Sequence, residues 1–79
     1  MLHNVNPVVV EHVVVNLMRE LNGLSYGEAV IAAAEALGRL IVEVGKDPVQ
    51  MIEMRRITHE HITRTIEAGA QAKGFRVSQ

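Results

Sequence analysis

Residues 25–44 read SYGEAVIAAAEALGRLIVEV, and this stretch, from Ser25 to Val44, decides the fold. Ser25 with Glu28 three positions later forms a capping box, which satisfies two amide donors that a helix start leaves without partners. Helix-forming Ala and Leu then carry the segment to Val44, where Gly45 is suited to a left-handed end and Pro48 blocks continuation. The spacing predicts a helix over about 26–44. At about 100° per residue, Glu28, Glu35, Arg39 and Glu43 fall on one narrow stripe, with Glu35–Arg39 and Arg39–Glu43 at ion-pair spacing. Opposite lies a normal core stripe of Val30, Ala33, Leu37, Leu40, Ile41 and Val44.

A further flank, Ile31, Ala34, Gly38 and Val42, lies outside that stripe, and its small pair Ala34 and Gly38 allows close approach of another backbone. A helix with two neighbours needs an apolar arc of about 100–140°; this one is free of charge over most of its circumference. The surplus predicts a homo-oligomer, most simply a two-fold dimer. The expected interface is Ile31, Ala34, Gly38 and Val42, joined by Val8, Val9 and Val15 of the preceding segment. Burying roughly 300–500 Å² there is worth on the order of 7–12 kcal/mol per chain at about 25 cal/mol/Å². Association entropy removes much of this, but the remainder still matters against a domain stability of about 5 kcal/mol. The alternative is a tight monomer in which a third helix covers the flank.

Toward the N-terminus, Asn6-Pro7 and Asn22-Gly23 bracket a first helix over about 7–21. Val10, Val13, Val14, Leu17, Met18 and Leu21 follow helical spacing, with His12, Asn16, Arg19 and Glu20 on the other side. The valine runs 8–10 and 13–15 favour strand on propensity, but strict alternation is absent. Toward the C-terminus, Asp47-Pro48-Val49-Gln50 repeats the cap logic and opens a third helix over about 48–72. Gly74 then releases it into a mobile tail, 74–79. Short connections place consecutive helices as neighbours, so the expected fold is all-α: a three-helix antiparallel bundle in one domain, 1–79, as an intertwined or face-packed homodimer.

On the third helix Met51, Met54, Thr58, Ile62, Thr65, Ile66 and Gly69 are expected to face inward. Glu53, Arg56, Glu60, Arg64 and Glu67 form the outer face, spaced three and four apart so that each arginine has acidic neighbours. Arg55 and His59 sit at the seam beside Ile66, within reach of an acid on another helix or chain. Ile57, amid the outer charges, is an apolar handle; with Met54 and His61 it makes the expected surface for another protein partner.

The 79 residues hold 48% hydrophobic and 22% charged residues, a net charge of -1 and no cysteine. Two domains do not fit, and disorder, disulfides and thiolate metal sites are excluded. Near-neutral charge argues against nucleic acid, and one Tyr and one Phe give no stacking platform. The apolar run Ala29 to Ala34 is far short of the roughly 18 residues of a membrane span, and residues 1–7 carry no basic leader. A cytoplasmic protein is expected, with no membrane partner.

His59-Glu60-His61 resembles a metal signature, but side chains two apart on a helix point about 200° away from each other. His3 and His12 have no cysteine or matched carboxylate, so no metal and no cofactor are expected. His59 and His61 are expected in an interface hydrogen bond or in solvent. No nucleophile elbow, phosphate loop or dinucleotide pattern occurs, Ser25 is occupied as a cap, and no catalytic residue is assigned. The expected function is a non-enzymatic helical module that binds itself and another protein. The competing function is a small nucleic-acid-binding regulator, either a helix-turn-helix over the second and third helices or a ribbon-helix-helix dimer with 8–15 as strand.

Overall fold

The structure, a computed structural model, describes residues 5–75. Among these the chain is all-helical, with no strand: α1 (Pro7–Leu21), α2 (Tyr26–Val44) and α3 (Pro48–Ala72). Residues 8–15 lie inside α1, so the strand required for a ribbon-helix-helix is absent. Helical period and a strong start outweigh valine propensity there. The side chain of Asn6 accepts from Val8 N at 2.9 Å, and Pro7 sits at the first helical position.

α1 ends in a type II turn. Asn22 has φ -64 and ψ 133, Gly23 has φ 93, and Leu24 N donates to the Leu21 carbonyl at 3.2 Å. That positive φ is the reason for glycine. The capping box of α2 forms as expected: Glu28 N donates to Ser25 Oγ at 3.2 Å, and Ser25 N donates to Glu28 Oε1 at 3.2 Å. At α3, Gln50 N donates to Asp47 Oδ1 at 2.8 Å, while Gln50 Oε1 accepts from Lys46 N at 2.7 Å. The third-position amide thus reaches one residue further back than the usual box.

Gly45 does not take the left-handed end expected of it; the positive-φ glycines of the described residues are Gly23 and Gly74. Its N–H continues the helical pattern to the Ile41 carbonyl at 2.9 Å, and the Asp47 cap then restarts the chain. Glycine is needed there for space, since an added Cβ would meet Met51 Cγ at 2.5 Å. α3 closes on a left-handed glycine, Gly74, with Phe75 N donating to the Ala70 carbonyl at 2.8 Å and Gly74 N to that of Gln71 at 2.9 Å. Gly74 and Phe75 therefore belong to the helix closure; the rest of the expected tail lies outside the described residues.

The chain divides into two compact units, Met1–Ala36 and Leu37–Gln79, and the division falls within α2. No described residue in either is fully buried. In the first, Leu21 and Ala29 are half-buried. In the second, Leu37, Ile41 and Gly45 on one side and Gln50, Met51, Met54, Ile57 and Thr58 of α3 are half-buried. The expected core positions Val30, Leu40 and Val44 are exposed, as are Ile62 and Ile66. Within this unit Leu37–Val44 spans about 12 Å and α3 about 37 Å at 1.5 Å per residue, so this part of α2 is long enough to lie along only about a third of α3.

Candidate functional site

Many large apolar residues of the described chain are exposed. On α1 the residues Val10, Val14, Leu17 and Leu21, spaced four, three and four, make one stripe. Met18 and Val13 widen it, Glu11 borders it on one edge and Glu20 on the other. The remaining polar face carries His12 and Asn16, joined at 3.2 Å between Asn16 Nδ2 and His12 Nε2. All of the stripe except half-buried Leu21 is exposed. Where α1 turns into α2, an open apolar groove of about 380 Å³ is lined by Met18, Leu21, Leu24, Tyr26, Ala29 and Val30, among others.

The residues expected at a self-interface stand in the open. Val8 is 76% exposed, Ile31 65% and Val42 64%; Val9, Val15, Ala34 and Gly38 are also exposed. A Cβ added at Gly38 meets no heavy atom within 4 Å. The expected partner surface is divided: His61 is exposed, whereas Met54 and Ile57 are half-buried. Ile57 is therefore partly covered, and of the three only His61 is fully open. At the start of α3 the half-buried side takes in Met51, Met54 and Thr58 together with Ile57, and Met51 reaches over the bare Gly45.

α3 also exposes a stripe that residue types alone concealed. Ile52, Arg55, His59, Ile62 and Ile66 follow one another at three, four, three and four, and all are exposed. This is the seam spacing of paired helices, interrupted by one cation and one imidazole. Ile52, Arg55, Arg56 and His59 line an open concavity of about 420 Å³. The three-four spacing was present in the sequence; assignment of Ile62 and Ile66 to the core hid it.

Beside this stripe the outer charges of α3 neutralise one another. Arg56 Nη2 meets Glu53 Oε1 at 2.5 Å and Arg56 Nη1 meets Glu60 Oε1 at 2.6 Å, while Arg64 approaches Glu60 at 3.9 Å. The hydrogen bond from Arg56 holds the Glu53 carboxyl below its ordinary value, opposed in part by desolvation and aided by the Arg56 charge. The same contacts, the Glu53 hydrogen bond first, raise the Arg56 guanidinium above its usual range. Arg56 is thus engaged by two acids.

The carbonyls of His59 and His61 accept from the hydroxyls of Thr63 and Thr65 at 3.0 and 2.9 Å. Among the described residues no group of three His, Asp or Glu is placed to hold a metal ion, and no helix is long and apolar enough to cross a membrane. His3 lies outside the described residues. No family model, curated protein or solved structure matches the chain.

Proposed function

We propose that this chain is a non-enzymatic helical module that works through self-association, as a homodimer in which the apolar faces of α1 and α2 are covered by a second copy and each subunit completes an antiparallel helical bundle. The observation that carries this is the absence of any buried residue among those described, in a chain that is 48% hydrophobic. Isolated exposed apolar residues are ordinary, but a contiguous set on successive helices marks an interaction surface. A stable interface removes about 600–1,000 Å² from each partner, and exposed Val8, Val9 and Val15 with Ile31, Ala34, Gly38 and Val42 supply part of that surface. The open Gly38 lets a second backbone come close. His61, exposed on α3, belongs to the surface we assign to a further protein partner, with half-buried Met54 and Ile57 at its edge.

A nucleic-acid role draws less support. Gln50, at the start of α3 where a recognition helix reads bases, is spent on the Lys46 amide, and Arg56 is held between Glu53 and Glu60. Light scattering after size exclusion, over a hundredfold range of concentration, tests the proposal. A dimer mass with a thermal midpoint that rises with concentration is expected; a monomer mass throughout would overturn it.

A further inference from the structure

We infer that the second copy seats its α1 stripe on the exposed α3 stripe of the first, with Arg55 against an acid, Glu11 or Glu20, of that second copy. This rests on the self-association proposed above and adds a contact of α1 with α3 to the α1 and α2 faces named there. The α3 stripe from Arg55 to Ile66 is spaced four, three, four, and the α1 stripe from Val10 to Leu21 has the same spacing. Each therefore offers knobs and holes at matching intervals whether the helices run parallel or antiparallel. Leu17 is 56% exposed and Ile66 55%.

Charge selects this pairing over two α3 stripes meeting each other. The positions flanking the α3 stripe are Arg56, Thr58, Thr63 and Thr65, none of them acidic, and the nearest acids, Glu53 and Glu60, lie just beyond Arg56 and are engaged by it. Two copies of α3 face to face would bury Arg55 without a counter-charge, which is costly. The α1 stripe brings a carboxylate on each edge. In a parallel register Glu11 falls between the levels of Arg55 and His59; in an antiparallel register Glu20 does. A two-fold axis repeats the contact, so one dimer holds it twice.

The test uses the full chain and two variants measured apart and mixed. R55E places an acid against the acids of its own kind, and E11R or E20R places a cation against Arg55, so each variant alone dimerises at least about tenfold more weakly than the parent protein. Mixed in equal amounts, R55E and the correct acid variant meet as opposite charges at both copies of the contact. Sedimentation equilibrium should then report a heterodimer of near-parental affinity, and fluorescence transfer between differently labelled chains should appear only in that mixture. Rescue by E11R indicates parallel helices and rescue by E20R antiparallel ones; either supports the pairing. A parent dimer that R55E leaves unchanged, or that neither mixture rescues, including rescue only when both changes are in one chain, would overturn the pairing while leaving self-association intact. A parent protein that is monomeric throughout fails the earlier proposal instead.

Discussion

Met51 Cγ occupies the space where a side chain at Gly45 would begin: a Cβ there would lie 2.5 Å from that carbon and 2.9 Å from the Ile41 carbonyl oxygen. Real Cβ atoms do not approach so closely. Gly45→Ala must therefore move Met51 and tilt the end of α2, at a cost of about 1–3 kcal/mol. Urea unfolding at fixed protein concentration will show it as a lowered midpoint. Met51→Ala removes one of the two clashes, so the double variant should lose less than the sum of the single losses.

Gly38 poses the opposite case, with no atom within 4 Å of its added Cβ. Gly38→Leu is accommodated by the single chain and in it improves helix propensity. Against a second backbone it is an obstruction, and dimer dissociation should rise by about tenfold or more. Helicity that is kept while sedimentation shifts toward monomer is the expected pair of results.

Ser25 and Glu28 close the start of α2 through three contacts, including Ser25 Oγ donating to Glu28 Oε1 at 3.0 Å. Ser25→Ala leaves the Glu28 amide without its acceptor and should cost about 1 kcal/mol. Glu28→Gln keeps an oxygen for the Ser25 amide and should lower the thermal midpoint less.

Glu53 titrates below its ordinary value of 4.5 because Arg56 hydrogen-bonds its carboxylate. The stabilisation from this pair is fully present above that ordinary value and is lost as pH falls through the lowered one. Following the side-chain carboxyl carbon by NMR, Arg56→Gln should move the Glu53 midpoint back up toward 4.5. Both groups are solvent-exposed, so the effect on global stability is small.

The three helices and their starts were legible in the chain because they depend on groups a few residues apart: Asn6 with Pro7, Ser25 with Glu28, Asp47 with Gln50. Such contacts form in any local helix, whatever packs on it. The outer ion pairs of α3 were legible for the same reason, being one turn apart. The apolar surplus of α2 was legible too, since circumference follows from spacing alone.

Rotation was not. Residue types placed Ile62 and Ile66 inward and Ile57 outward, yet Ile57 is half-buried and the other two are exposed. A helix bearing apolar residues on more than one face can present either of them, and only the shape of its neighbour selects. Here the missing side chain at Gly45 leaves room for Met51 at the start of α3. Local hydrogen bonding and periodicity determined which residues are helical and where each helix begins; the tertiary structure decided which face turns inward, because that depends on steric fit between residues whose proximity exists only once the chain has turned.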